Sequence, residues 1–565
     1  MSDIVKLIND LISAGGKSAP QMTHALKNLG NGNMQNGIAR IAEYFTKEGI
    51  KSGTIRGVFL GAGGIAVLIA LINLIKKAIK KNQKHKLEGE AILKALEDGI
   101  TDYENCKSED KPMYFLDIEL SIKNKPVLDD GFIPMALFSK AFLKQADKPV
   151  AVCVERNDGL RAVHDTFITG TNAQADRYFI ERTVKFLLWA KGGFRITICG
   201  SEELAEHIRD AFSPEGKYAF DSEFMAKIYE REFEVISLPL SEKPPENERS
   251  MPVGGNVTGC RIGFDAGGSD RKVSAVIDGE AVFSEEVVWH PKINADPDYH
   301  FGGIVDAFKA AASKMPRVDA IGVSSAGIYV NNRTMAASLF LKVPPEDFEA
   351  RVKDIYIRAA KKLGAGIPLT VVNDGDVTAL AGAMDIGDNN VLGIAMGTSE
   401  AGGYIDESGN ITGWLNELAF APVDTSPAAM ADEWSGDIGC GVKYFSQDGV
   451  IKLAANAGIE LDDGLSPGEK LKTVQALLAG GDERAVDIYS SIGCYLGHTL
   501  PYYWDFYGYR HVLLLGRVMS GEGGNIIVET AKRVIAEEYG DYDFCLNIPD
   551  ERSRRVGQSV AAASL

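Results

Sequence analysis

The chain has 565 residues, 60 Lys and Arg against 78 Asp and Glu, a net charge of −18 and 45% hydrophobic residues. That length exceeds a single core and predicts two or three domains, while the acidic balance excludes a general nucleic-acid binder, whose phosphate contacts need a basic face. The seven cysteines, Cys106, Cys153, Cys199, Cys260, Cys440, Cys494 and Cys545, are scattered and odd in number, which argues against a disulfide framework or zinc knuckle and for a reducing compartment.

Residues 1–56 carry helical-looking runs, IVKLINDLI and IARIAEYF, separated by the breaker-rich LGNGNMQNG. Residues 57–75, GVFLGAGGIAVLIALINLI, contain no charge over nineteen positions, about enough at ~1.5 Å per residue for a hydrocarbon layer of ~30 Å. Lys76, Lys77, Lys80, Lys81, Lys84 and Lys86 follow, and such a cluster favours the cytoplasmic side. The expectation is a single-pass anchor in the cell membrane with the C-terminal bulk in the cytoplasm. The alternative is a buried helix of a cytoplasmic protein, for which the four glycines in the first half of the run speak. Gly53, Gly57 and Gly61, four residues apart, carry a further expectation of close helix pairing in a homodimer. Residues 76–110 read as a basic helical connector.

Over 111–242 short β-rich runs alternate with helices, predicting an α/β accessory module. Residues 150–155 and 161–167 flank the turn Asn157-Asp158-Gly159, a hairpin signal because these residues tolerate positive φ. Residues 178–191 read as an amphipathic helix closed by Gly192 and Gly193. The strand FRITIC follows, then a helix that Ser201 caps, with Glu202 and Glu203 in its first turn. The charged, proline-bearing stretch SEKPPENERSMPVGG marks a linker over 243–258.

From residue 259 to 565 three glycine-rich turns occur in order. CRIGFDAGGSDRKVSAVIDGEAVF reads as three hairpin-linked strands whose first turn holds Gly267, Gly268 and Ser269. Adjacent glycines remove the Cβ atoms that keep a phosphate from backbone N–H groups, and Asp265 at the strand end can hold Mg²⁺ through water. VLGIAMGTSEAGGYI repeats the pattern at Gly397, Thr398, Gly402 and Gly403, and LLLGRVMSGEGGN passes through Gly516 and Gly521 into a helix, as a loop against a nucleoside would. Between the first two turns, PLTVVNDGDVTALAGAM is a buried-looking strand ending at Asn373 and Asp374, where a carboxylate can take the proton of an attacking hydroxyl. Asp376 reads instead as a helix-capping residue.

The order and spacing of these segments resemble the ROK family (repressors, open reading frames and sugar kinases) of the sugar kinase/actin/Hsp70 superfamily. The resemblance implies an α/β fold of two RNase-H-like lobes, of the actin/hexokinase type, closing over Mg²⁺ and ATP. It places Asp265, Gly267, Gly268 and Ser269 in the first phosphate motif, with Ser for the commoner Thr. Thr398, Gly402 and Gly403 fall in the second, and Gly516 in the nucleoside loop. Asn373 and Asp374 match the sugar-binding Asn and catalytic Asp. GWLNELAFAPVD at 413–424 resembles the family's GEIGH segment, which makes Glu417 substrate-binding but puts Phe420 where histidine is expected. GCGVKYFS at 439–446 resembles GCLEAYAS, with Val442 in place of a sugar-binding glutamate, and the zinc-binding cysteine cluster is absent. Two polar contacts become apolar, each worth ~1–3 kcal/mol toward a hydroxylated ligand, which argues against glucose as acceptor. The leading expectation is ATP-dependent phosphorylation of a carbohydrate-like hydroxyl. The alternatives are a membrane-tethered nucleotide or sugar sensor without phosphoryl transfer, and an ATPase acting on a partner protein. His290, His300, His498 and His511 show no metal-ligand spacing, and PYYWDFYGY at 501–509 reads as packing between lobe elements.

Overall fold

Alternation of apolar residues along each strand separates two faces in the four-stranded sheet of the accessory region. Its strands are β1 (Lys148–Glu155), β2 (Arg161–Ile168), β3 (Arg195–Cys199) and β4 (Glu234–Leu238), in spatial order β2-β1-β3-β4. Val150, Val152 and Val154 of β1 enter the main core, while Ala151 and Cys153 turn to a small second core with Cys199. The expected hairpin is present: β1 and β2 are antiparallel and joined through Asn157–Gly159, where Asp158 takes φ 60°. Helix α1 (Met135–Leu143) precedes this sheet. Helix α2 (Ala173–Ala190) starts at Asn172, whose side chain accepts from the Ala175 N–H. Helix α3 (Glu202–Ala211) is capped by Ser201, and α4 (Ala219–Tyr229) follows it.

The structure, a computed structural model, describes residues 113–250, 255–540, 542–549 and 560–565. The helical segment 1–56, the span 57–75, the connector 76–110 and the glycines at 53, 57 and 61 lie outside the described residues. Among the described residues no helix is long and apolar enough to cross a membrane. Met113–Leu565 form one compact unit.

Beyond the linker, β5 (Cys260–Ala266), β6 (Asp270–Ile277) and β7 (Glu280–Val288) form an antiparallel meander. Strands β8 (Ala320–Ser325) and β11 (Leu369–Asn373) extend it in parallel from β5, giving the order β11-β8-β5-β6-β7. The short hairpin β9 (Ile328–Val330) and β10 (Arg333–Ala336) lies between them in sequence. A three-strand meander with two parallel strands on the side of its first strand is the RNase-H arrangement, and it defines lobe I. Helices α5 (Pro297–Ala312) and α6 (Ile355–Leu363) contribute Ile304, Phe308 and Tyr356 to its core beside Phe264 and Val273. The exposed edge β7 carries Glu280, Glu285 and Glu286, charges that discourage edge-to-edge pairing.

Helix α7 (Asp374–Ile386) leads into lobe II, where β12 (Val391–Met396) and β13 (Glu400–Ile405) form a hairpin. Strands β14 (His511–Leu515) and β15 (Cys545–Asn547) add in parallel, in the order β13-β12-β14-β15. This repeats the lobe I plan with the third meander strand replaced by an irregular segment over 406–446. The helices of lobe II are α8 (Gln447–Asn456), α9 (Pro467–Ala479), α10 (Glu483–Tyr507) and α11 (Glu522–Val534). The aromatic stretch at 501–509 buries Tyr502, Tyr503, Tyr507 and Tyr509 as core side chains.

One core runs from the accessory region into lobe II, joining Phe138, Val152, Leu187 and Trp189 with Leu392, Tyr404, Leu418, Tyr444 and Leu500. Beneath it, Arg182 Nη1 meets Asp437 at 2.6 Å, and Lys185 Nζ meets Asp437 at 3.2 Å and Asp221 at 2.9 Å, all buried. The linker is pinned as well, since Glu248 pairs with Arg156 and accepts from the Trp414 indole at 3.2 Å. At the other end of the chain, Ala561, Ala562 and Leu565 pack among Val372, Val377, Val391 and Leu513 between the two lobes.

Candidate active site

Three parallel strands of lobe I end together, so the residues at their carboxyl ends share one rim, where ligands of open α/β sheets bind. Ser324 of β8 is in register with Asp265 of β5, and Ser325 is in register with Asn373 of β11. The Ser324 hydroxyl donates to Asp265 Oδ1 at 3.0 Å. Burial lifts the Asp265 carboxyl to about 6 against that hydrogen bond, and the charge of Asp374 adds to the rise. The turn after β5 is open: Ser269 is exposed, and a Cβ at Gly267 would sit 2.7 Å from the Asp270 carbonyl oxygen.

Asn373 ends β11 and begins α7. Its Oδ1 accepts from the Gly375 N–H at 2.7 Å and its Nδ2 donates to the Gly327 carbonyl at 2.7 Å, so both ends of the amide hold the strand-to-helix junction. Asp374 is therefore presented on the first turn of α7, half-buried. Burial raises its carboxyl above the ordinary value; the Gly375 N–H and the charge of Lys292 pull it back. The capping reading of Asp376 is corrected by the structure. Asp376 is buried and its Oδ1 accepts from the Tyr404 N–H at 3.1 Å and from Asn416 Nδ2 at 2.9 Å, tying α7 to β13 and to the 416 segment. The helix has its cap in Asn373, which leaves Asp376 free for this clasp.

The second turn lies between β12 and β13. The Gly397 N–H closes it on the Ser399 carbonyl at 3.0 Å, and Thr398 and Ser399 are exposed at its tip. Gly402 and Gly403 lie within β13. A Cβ on Gly403 would run into the backbone of Gly375, and one on Gly402 into the Asn416 carbonyl. Their bare α-carbons let α7 approach the strand. Gly516 follows β14 at φ 101°, and a Cβ there would collide with the Met396 backbone, so the third turn closes against the base of the second. Gly521, at φ 69°, opens α11.

Glu417 lies within electrostatic reach of Asp374 at the same rim. Burial, then the charges of Asp374 and Asp376, push its carboxyl up to about 7. Its position comes from the accessory module: the Glu417 N–H donates to the Trp189 carbonyl at 2.9 Å and the Asn416 N–H to the Ala190 carbonyl at 3.0 Å. Phe420, three residues on, stacks on the Trp189 ring with centroids 4.1 Å apart. The side of the cleft next to Glu417 is thus built on the C-terminal end of α2, a contact no local pattern in the sequence announces.

Two further residues escaped the motif reading. Lys292 stands beside the first turn. Glu400, immediately after the second turn, is buried with neither carboxylate oxygen hydrogen-bonded, and burial pushes it to about 8. A carboxyl raised in the folded state binds its proton more tightly there. Between about pH 4.5 and 8, stability therefore falls as pH rises, by up to ~1.4 kcal/mol per unit from this group. Glu400→Gln removes that share, so urea unfolding between pH 5 and 8 is expected to show the wild type losing ground to the variant as pH rises. Parallel curves would refute it.

No protein-family model matches the chain, and no curated protein matches it. Among solved structures, the chain is similar to a ROK hexokinase from Thermus thermophilus, at 19% identity over 54% of this chain and 97% of that one, with a TM-score of 0.44. It is similar to a ROK family glucokinase from Streptomyces griseus in complex with glucose and AMPPNP, at 20% identity over 54% and 98%, TM-score 0.39. A ROK family transcriptional regulator, a homolog of the E. coli MLC protein, gives 17% identity over 55% and 79%, TM-score 0.39.

Proposed function

We propose that the chain is an ATP-dependent kinase that phosphorylates a hydroxyl of a sugar or sugar-like small molecule. The observation that carries this reading is the convergence of Asp374, Asp265 and Glu417 on one cleft, at the strand ends beside an open glycine turn. The residues fit the cofactor: Gly268 is exposed in the first turn, and Ser269, Thr398 and Ser399 offer exposed hydroxyls. ATP with Mg²⁺ supplies the phosphoryl group and neutralises its charge. The first and second turns hold phosphates, with Gly397 closing the second; Gly402 and Gly403 support it from β13. Gly516 and Gly521 border the nucleoside, and Asp265 holds Mg²⁺ through water. Asp374 accepts the proton of the acceptor hydroxyl, and Glu417 orients that acceptor, with Asn373 fixing the junction that presents Asp374.

ADP release over a panel of sugars and amino sugars tests this, with Asp374→Asn as control. Absence of Asp374-dependent turnover with every acceptor would defeat it. Residues 57–75 are proposed to tether the kinase to the membrane with its catalytic part in the cytoplasm, on the charge-free run and the lysines after it. Release of the full chain from membranes by alkaline carbonate would overturn the tether.

A further inference from the structure

Beside the first glycine turn stands an exposed cation that neither glycine hairpin supplies. Lys292 sits in the short turn Pro291–Ile293 that follows β7. The segment is fastened across the first phosphate turn: the Trp289 indole donates to the Gly267 carbonyl at 2.7 Å, and the Trp289 N–H to the Ser269 carbonyl at 3.1 Å. From below, a ring nitrogen of the fully buried His300 lies 3.0 Å from the Pro291 carbonyl. So held, the lysine lies on the bare face of Gly268. A Cβ built there would fall 2.7 Å from Lys292 Cε and 3.0 Å from Nζ. The ammonium has no ion pair or hydrogen bond among the described residues, and its charge reaches Asp374 across the cleft. An exposed cation resting on a phosphate turn, within electrostatic reach of a carboxylate base, is placed where a transferred phosphoryl group would pass.

We propose that Lys292 is a catalytic residue whose ammonium, resting over Gly268, donates to the γ-phosphoryl oxygens during transfer. This rests on the kinase reading. In the step, the acceptor oxygen forms a bond to the γ-phosphorus, the bond from that phosphorus to the β,γ-bridging oxygen breaks, and ADP leaves with the bonding pair. The hydroxyl proton passes to Asp374, and Lys292 keeps all of its protons. Gly268 acquires a second role, since any side chain there would push the ammonium off the turn.

The test uses the full chain and reads binding as well as turnover. Affinities for a non-hydrolysable ATP analogue and for ADP are measured by calorimetry for wild type, Lys292→Ala and Lys292→Arg. A charge-assisted hydrogen bond of about 1.5–3 kcal/mol corresponds to a loss of roughly 10–100-fold in preference for the triphosphate in Lys292→Ala. The arginine variant is expected to recover part of it, and kcat in the sugar assay to fall at least as far as binding. A triphosphate preference unchanged within about twofold in Lys292→Ala would overturn the inference, as would a wild type that binds neither nucleotide. A wild type that prefers the triphosphate through Lys292 yet shows no Asp374-dependent turnover would leave the lysine's contact standing and remove the kinase reading.

Discussion

Asp374→Asn is expected to lower ADP release by about 10²–10⁴-fold, the usual contribution of a positioned general base, while leaving the fold intact. The substitution keeps the shape of the side chain and removes its charge and its capacity to take a proton. It does not touch the cap of α7, which belongs to Asn373, nor the clasp to Tyr404 and Asn416, which belongs to Asp376. The loss of one acidic group from the first turn of a helix is worth about 0.3–1 kcal/mol, so the urea midpoint should move little. The wild-type pH profile carries a second signature. The carboxyl is raised above the ordinary value by burial, and only its ionised form is a base. Activity should rise with pH through that raised value and then level off. Glu417, held up at about 7, belongs to the same limb. An asparagine variant with wild-type turnover, or an unfolded one, would count against this account of Asp374.

Asp437→Asn is expected to destabilise the protein by about 3–5 kcal/mol without any contact to the cleft, the loss typical of breaking a buried ion pair from one side. Two cations, Arg182 and Lys185, share Asp437 and Asp221 in the interior, and removal of one carboxylate leaves two buried positive charges facing one negative charge. Burial alone would raise Asp437, but Arg182 and Lys185 outweigh it and hold the carboxyl well below the ordinary range. A depressed carboxyl adds stability that is complete above its unfolded value of about 3.9 and disappears as pH falls through the folded one. The wild-type advantage over the variant should thus persist at neutral pH and shrink only in strong acid. Urea unfolding at pH 7 and pH 3 measures both parts. A neutral Asp437→Asn variant would show that α2 is held to lobe II by the apolar core alone.

The features readable in the sequence are those written in consecutive residues. A strand, a glycine-bearing turn and a second strand make the hairpins at 267 and 397, and an apolar strand running into Asn373 makes the junction before α7. The clasp made by Asp376 is not legible in the sequence because its partners, Tyr404 and Asn416, lie 28 and 40 residues away and no spacing rule connects them. Gly402 and Gly403 look like phosphate glycines in sequence, but the atoms their bare α-carbons accommodate belong to α7 and residue 416. Lys292 sits in no motif and gains meaning only when the turn after β7 folds back over Gly268. The same holds for Phe420. Its apolar character registers in the sequence as a departure from the expected histidine, whereas its reason, the Trp189 ring, comes from another part of the chain.

The accessory module touches both lobes, and the two attachments differ in their balance of apolar and ionic contact. Toward lobe II it offers a shared apolar core and backbone hydrogen bonds at residues 416 and 417. Toward lobe I it offers a smaller apolar contact, with Ile328 and Met335 of the β9–β10 hairpin in the same core, and Glu230 just after α4, paired at 2.7 Å with both Lys353 and Arg333. The first is a weld; the second adds a latch of ion pairs to a small apolar contact. Lobes that swing apart would part at the ionic side, because partly exposed pairs of this kind hold weakly and are screened by salt. Ionic strength thus becomes a lever on how readily the cleft opens to admit an acceptor, independent of any charge on the acceptor itself.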